Sequence, residues 1–143
     1  SGDIPSRQVY EDGQFLAFLT RWPNTEGFTV LIPKKHYDSD ALRQPDEVLS
    51  GMVTAAKAIN EQICTAYPDV GRCGLIFEGF GVNHLHAKIV PMHGTSMPEW
   101  KPIHSDINTY YETYPGYISS HDSVEQDAAI LDQVAEKIRN AKK

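Results

Sequence analysis

Cysteines and long apolar runs are both scarce in this sequence. The two cysteines, Cys64 and Cys73, form neither a Cys-x-x-Cys pair nor the dense framework of a disulfide-stapled domain. Cys64 lies in an apolar helical pattern, where buried free thiols are common in reducing compartments. No apolar run approaches the roughly 18 to 20 residues that a membrane helix needs. We therefore expect a cytoplasmic protein with no membrane partner.

Positive charge is also in deficit, with 13 Lys and Arg against 19 Asp and Glu and a net charge of -6. A protein that binds long nucleic acid usually carries a basic surface, so we exclude that class of partner. A small anionic ligand needs only a local cluster of cations. The length of 143 residues and the 41% hydrophobic content predict a globular domain with its own core.

Four segments have the β-branched and aromatic composition of strands, with turn signals between them. They are Ser6 to Tyr10, Gln14 to Thr20, Phe28 to Pro33 and Cys73 to Gly79. The letters "EDG" at positions 11–13 mark a turn between the first two, and a proline ends the third. The first three segments predict an antiparallel meander.

The strongest helical pattern begins at Pro45, which suits the first helical position. Asp46 and Glu47 follow it and favour the positive end of the helix dipole. Apolar residues then recur at spacings of three and four: Val48, Leu49, Met52, Val53, Ala56, Ile59 and Ile63. We expect this helix to end near Tyr67 and to form a core element.

Residues 105–143 combine an aromatic segment with a second helix. Four tyrosines lie close together: Tyr110, Tyr111, Tyr114 and Tyr117. Aromatic content favours a segment packed on the domain, and a lid that stacks on a base is the alternative. Ser123 and Gln126 have the spacing of a capping box, which predicts that the final helix begins there. Basic residues near its end, including Lys142 and Lys143, suit the negative end of the dipole.

Polar and apolar residues alternate in "GVNHLHAKIVPMHG", residues 81–94. In a strand, residues two apart share a face. The core face then carries Leu85, Ala87 and Ile89. The other face carries His84, His86 and Lys88, which together suit an anionic ligand. The alternative is a half-exposed strand that shows polar residues to water, but the glycine-rich approach "EGFGVN" favours a ligand site.

"GVNHLHAKIVP" resembles the signature of the histidine triad (HIT) superfamily of nucleotide hydrolases and transferases, in which apolar residues separate three histidines. "GDIPSRQVYEDGQFLAFL" and "GFTVLIPKKH" are similar to the first three strands of that family, so the resemblance covers about residues 2–93. It implies an α+β fold with a mainly antiparallel five-stranded sheet, one long helix and a helical carboxyl-terminal extension. Residues 1–104 would form the nucleotide-binding domain, residues 105–143 would pack on it, and the protein would be a homodimer.

The resemblance also implies catalytic roles for the three basic side chains. His86 matches the nucleophile of the family, which attacks the α-phosphorus of a nucleotide and forms a nucleotidyl-imidazole intermediate. An imidazole suits this role because it is largely neutral near pH 7. His84 matches the first histidine, which orients the site. Lys88 replaces the third: its ammonium can neutralise phosphate charge, but it is a poorer proton shuttle because an ordinary lysine has a pKa of about 10.4.

Five residues are candidates for binding a small nucleotide substrate: Phe18, Thr20, Phe80, Gly81 and Asn83. Phe18 matches an apolar wall beside the nucleoside. Thr20 stands where the family usually has an Asp or Asn on the ribose hydroxyls, and Phe80 and Gly81 replace a Gln and a Ser or Thr beside the phosphate. These departures predict fewer polar contacts to sugar and phosphate, and hence an altered substrate pocket.

Two alternative functions stay open. The chain could retain the pocket without turnover, as a nucleotide-binding regulatory protein, or it could hold a metal on His84 and His86. In some family members the histidine equivalent to His36 joins a Cys-x-x-Cys pair at a zinc site, but no such pair exists in these 143 residues. We therefore expect no metal and no other cofactor. His93 and His104 suit surface loops, although His93 could rim the pocket.

Overall fold

The computed structural model describes residues 7–141. Its elements are β1 (Gln8–Glu11), β2 (Phe15–Leu19), β3 (Thr29–Pro33), α1 (Asp46–Ala66), β4 (Cys73–Ile76), β5 (Ala87–Pro91) and α2 (Ala128–Asn140). The strands pair antiparallel in one sheet with the order β1-β2-β3-β5-β4. The predicted α+β fold, with five strands and one long helix, is confirmed.

The meander of β1, β2 and β3 turns first at Asp12. The Oδ1 atom of Asp12 accepts hydrogen bonds from the backbone N–H groups of Gln14 and Phe15, both at 2.8 Å. β1 extends to Glu11, one residue into the predicted turn. Ser6, the predicted start of this strand, lies outside the described residues.

The core lies between α1 and one face of the sheet. The end of α1 at Ala66 confirms the predicted helix end, and Pro45 is the N-cap rather than the first helical residue. Its buried residues are Met52, Ala55, Ala56, Ile59 and Ile63. Val53 was expected on this stripe but is 42% exposed. It follows Met52 by one residue and therefore points about 100° away around the helix.

β5 begins only at Ala87, so the prediction that His84 and His86 lie within the strand is wrong. Pairing with β3 stops where Ala87 faces Leu31, and two residues further along β3 is Pro33, which has no N–H to donate. The N–H of Leu85 donates instead to the carbonyl of Tyr37, 2.8 Å away. The predicted alternation nevertheless holds, because Leu85, Ala87 and Ile89 are buried and the basic residues between them are not.

The described residues up to residue 100 and those from residue 101 onwards form two compact units. In the second unit α2 begins at Ala128, five residues after the predicted start at Ser123. Asp127 caps it by accepting a hydrogen bond from the N–H of Ala129 at 2.8 Å. The hydroxyl of Ser123 donates to the carbonyl of Asn108 instead, so the capping-box prediction is wrong.

Two tyrosines of the second unit contact each other. The hydroxyls of Tyr111 and Tyr117 lie 2.6 Å apart. The packing of residues 105–143 on the first domain, and the tyrosine lid, stay predictions; Lys142 and Lys143 lie outside the described residues. No helix within residues 7–141 is both long enough and apolar enough to cross a membrane.

Candidate active site

A cavity of about 510 Å³ opens on the sheet face opposite α1. Its walls come from β2, β3, the loop between them and the segment that leads through β5. The lining residues are Phe18, Thr20, Trp22, Phe28, Val30, Ile32, Val82, His84, His86 and Lys88. Five of the eight predicted site residues therefore lie on one cavity, including all three proposed catalytic residues.

Strand register explains how distant parts of the sequence meet here. Phe18 on β2 lies opposite Val30 on β3, and Val30 lies opposite Lys88 on β5. Residues directly opposite one another in antiparallel strands share a face, so these three side chains form one row across the sheet. Aromatic and aliphatic side chains make most of the wall, which suits a flat apolar group such as a nucleobase.

The ring of His86 has one nitrogen committed to the protein. Its Nδ1 lies 2.8 Å from the carbonyl oxygen of His84. A carbonyl oxygen can only accept, so Nδ1 carries the proton and the lone pair of a neutral ring is on Nε2. No hydrogen bond of Nε2 occurs among residues 7–141. The ring therefore offers a nucleophilic nitrogen on the cavity wall.

His84 has both ring nitrogens engaged. Its Nε2 lies 3.1 Å from the carbonyl oxygen of Pro33, and its Nδ1 lies 2.9 Å from Nδ1 of His36. Because the carbonyl accepts from Nε2–H, a neutral His84 accepts at Nδ1 from the N–H of His36. On the far side, Nε2 of His36 lies 3.6 Å from Asp38. These contacts fix the His84 ring, which supports its predicted orienting role.

Lys88 differs most from expectation, because its charge already has a partner. Its Nζ lies 2.7 Å from Oε1 of Glu78, and the side chain of Glu78 is only 7% exposed. Glu78 follows the end of β4, and Ile76 on that strand lies opposite Lys88. Glu78 was not predicted from the sequence, because its diagonal contact with Lys88 becomes visible only once the register of β4 and β5 is known.

Three predicted substrate-binding residues lie outside the cavity lining: Phe80, Gly81 and Asn83. Oδ1 of Asn83 accepts a hydrogen bond from the N–H of Ser39 at 3.0 Å, so it ties two loops together. A Cβ atom at Gly81 would meet no atom within 4 Å, whereas one at Gly79 would lie 2.3 Å from the carbonyl oxygen of Ser39. Gly79, with φ of +67°, is the glycine that this loop requires.

Five lining residues were not predicted as site residues: Trp22, Phe28, Val30, Ile32 and Val82. Phe28, Val30 and Ile32 alternate with Thr29, Leu31 and Pro33, and only the second set is buried. The sequence signal for these pocket residues was a strand that is apolar on both faces. Because successive side chains of a strand point to opposite faces, such a strand indicates a core on one face and a pocket on the other.

His93, which was considered for the pocket rim, is held elsewhere. Its Nε2 lies 2.8 Å from the carbonyl of Glu26 and its Nδ1 lies 3.0 Å from Asp69. The hydrogen bond to Glu26 and then the contact with Asp69 raise the pKa of His93. Desolvation acts to raise the pKa of Asp69, but hydrogen bonds from His93 and from the N–H of Gly94 lower it overall.

These shifts predict a pH-dependent contribution of His93 to stability. A raised histidine pKa stabilises the fold fully below the ordinary value of 6.5, and this contribution is lost as the pH rises through the folded value. The lowered pKa of Asp69 stabilises above the ordinary 3.8. His93→Gln should therefore reduce the free energy of unfolding more at pH 5.5 than at pH 8.5 in urea titrations. His104→Gln, at an exposed position, is the control, and an equal reduction at both pH values would contradict the expectation.

His36 and His84 do not have the spacing of two zinc ligands. Two nitrogens on a tetrahedral zinc, each about 2.0–2.1 Å from the metal, lie about 3.4 Å apart. The 2.9 Å between Nδ1 of His36 and Nδ1 of His84 is a hydrogen-bond distance. Within residues 7–141 no group of three His, Cys, Asp or Glu is placed to hold a metal. The described residues therefore do not provide a structural zinc site on His36 and His84. A metal held by His84 and His86 stays an untested alternative.

Comparison with known proteins agrees with the resemblance seen in the sequence. The family model described as HIT domain matches residues 1–95. An uncharacterized HIT-like protein of Methanocaldococcus jannaschii is 35% identical over 97 residues, which cover 65% of this chain and 74% of that protein. The protein named "hit" of Bacillus subtilis is 35% identical over 98 residues, covering 66% of this chain and 67% of its own.

Solved structures share the fold of this chain. A protein of Streptococcus mutans aligns with a TM-score of 0.63 at 26% identity, covering 96% of this chain and 78% of its own. A HIT family protein of Bacillus anthracis aligns with a TM-score of 0.60 at 25% identity, covering 99% and 92%. A zinc-bound histidine triad family protein of Mycobacterium smegmatis aligns with a TM-score of 0.55 at 29% identity, covering 63% and 68%.

Proposed function

This chain belongs to the HIT domain family, and on that premise we propose that it is a nucleotide hydrolase or nucleotidyl transferase with His86 as its nucleophile. Nε2 of His86 forms a bond to the α-phosphorus, and the bond from phosphorus to the leaving group breaks with its electron pair on the leaving group, which takes up a proton from solvent when it is an amine. An acceptor, water or another nucleophile, then attacks phosphorus. The P–N bond breaks, its electron pair returns to Nε2, and the acceptor loses its proton to solvent.

One observation carries the proposal. The Nδ1–H of His86 donates to the carbonyl of His84 at 2.8 Å, which keeps the ring in the tautomer that presents Nε2 as a nucleophile. This carbonyl is part of the backbone and stabilises the positive charge that develops on the ring during attack. The neighbouring apolar wall, with Phe18 and Phe28, suits the nucleobase of the substrate.

The adduct itself can be tested by trapping. Nucleotide labelled at the α-phosphorus is mixed with excess protein and quenched in alkaline denaturant, in which phosphorus–nitrogen bonds survive better than in acid. Wild type and His93→Ala should retain covalent label, whereas His86→Ala should retain none. His93 is the matched histidine, because it belongs to the same unit but does not line the cavity. Label that persists in His86→Ala, or nucleotide binding by wild type without any adduct, would refute the proposal.

A second candidate function is nucleotide binding without turnover. The ion pair between Lys88 and Glu78 favours this function. Lys88 stands at the position of the third motif histidine, and its ammonium is already paired with Glu78. The trapping experiment separates the two functions, since a binding protein gives a measurable dissociation constant for nucleotide and no covalent label. The base that the pocket prefers is found by comparing adenosine and guanosine nucleotides in the same experiment.

A further inference from the structure

At the third position of the motif, an ion pair takes the place of the free positive charge that a site for a polyanion would carry. On β5, Lys88 lies opposite Val30 on one side and Ile76 on the other, and both neighbours share its face of the sheet. The stem of Lys88 therefore runs between apolar side chains. Its ammonium lies 2.7 Å from Glu78, whose side chain is almost fully buried.

A buried carboxylate next to this ammonium changes what the position can recognise. A free cation would attract the negative charge of a departing polyphosphate. Here repulsion from the carboxylate of Glu78 opposes that attraction. Two unit charges about 6 Å apart, at an effective dielectric constant near 20, change a binding or rate constant on the order of 100-fold. Lys88 keeps two N–H groups that can donate hydrogen bonds to a leaving group with little charge.

We propose that Glu78 is a specificity-determining residue: by compensating the charge of Lys88, it makes the third position favour leaving groups with little negative charge, such as amines, over polyphosphates. This inference rests on the proposed function, in which Lys88 faces the leaving-group side of the α-phosphate. Glu78 acts through Lys88 and is not itself a catalytic residue.

The experiment uses the whole chain and two substrates that share one nucleoside. One is the 5′-phosphoramidate of a primary alkylamine, and the other is the dinucleoside tetraphosphate. The ratio of kcat/KM for the tetraphosphate to kcat/KM for the phosphoramidate should rise at least tenfold in Glu78→Gln. In Lys88→Gln, which leaves the carboxylate without its ammonium, the ratio should fall. Both variants remove the same ion pair, so a purely structural role would move the two ratios in the same direction.

The matched control is Glu11→Gln, which removes an ion pair of the same type, because Oε2 of Glu11 lies 2.6 Å from Nζ of Lys34. Neither residue lines the cavity, and the ratio should stay within twofold of wild type. Thermal unfolding of each variant checks that the fold is retained. An unchanged ratio in folded Glu78→Gln, or shifts of equal sign in Glu78→Gln and Lys88→Gln, would overturn the inference.

A binding measurement keeps this inference separate from the proposed function. Dissociation constants for the nucleoside 5′-monophosphate and 5′-triphosphate are measured by calorimetry in wild type and Glu78→Gln. The preference for the triphosphate should rise about tenfold in the variant, with or without turnover. A shift in binding without any turnover refutes the catalytic proposal alone, whereas turnover with unchanged preferences refutes the role of Glu78 alone. Failure of wild type to bind either nucleotide would refute both.

Discussion

Replacement of His86 with alanine should lower kcat/KM for a nucleotide substrate by about 10³-fold or more, which corresponds to roughly 4 kcal/mol of transition-state stabilisation. The loss is large because no other group among residues 7–141 presents a nucleophilic nitrogen on this cavity: both ring nitrogens of His84 are engaged and the ammonium of Lys88 is paired. Steady-state kinetics measure the loss, with His93→Ala as the control. A His86→Ala enzyme within tenfold of wild type would show that the nucleophile is another group.

The neighbouring substitution His84→Ala should cost less, on the order of 10- to 100-fold. The group of His84 that His86 uses is its backbone carbonyl, which the substitution retains. What is lost is the side-chain link from Pro33 to His36, and with it some of the restraint on the loop that carries His86. A loss from His84→Ala as large as that from His86→Ala would mean that the imidazole of His84 takes part in the chemistry directly.

Local pattern was sufficient to predict the alternation at the site. The order of Leu85, Ala87 and Ile89 against His84 and His86 follows from residue type at a spacing of two. It held even where the strand itself was absent, because burial of the apolar side chains fixes the direction of the chain. The bounds of α1 were equally predictable, since apolar residues recur along a long amphipathic helix with the helical period.

Contacts between secondary-structure elements could not be predicted from the sequence in the same way. The pairing of Lys88 with Glu78 depends on the register of β4 against β5, and a single-residue slip would move Glu78 to the other face. The predicted start of α2 was wrong for a related reason: Asp127 and Ser123 are both acceptable cap residues, but the Ser123 hydroxyl donates to the carbonyl of Asn108, so Asp127 caps the helix. Such choices depend on partners distant in the chain.

A substitution in the core beneath the site should strongly reduce the stability of the protein. Leu31 on β3 is fully buried between the sheet and α1, with Ala17 and Ala87 as its cross-strand neighbours. Leu31→Ala should lower the free energy of unfolding by about 3 kcal/mol, because small neighbours on a rigid sheet leave the cavity unfilled. Urea denaturation followed by circular dichroism measures the change. A loss below about 1 kcal/mol would show that the strand relaxes into the space.

Ile32→Ala is the matched control, because it also removes three carbon atoms and comes from the next residue of the same strand. Ile32 points to the opposite face and lines the cavity of His86. Its removal should cost about 1 kcal/mol of stability, since the side chain is already partly exposed to solvent, and should weaken nucleotide binding several-fold through lost apolar contact. Leu31→Ala should leave the affinity of the folded protein nearly unchanged. Equal stability losses at the two positions would contradict the assignment of one face of β3 to the core and the other to the nucleotide.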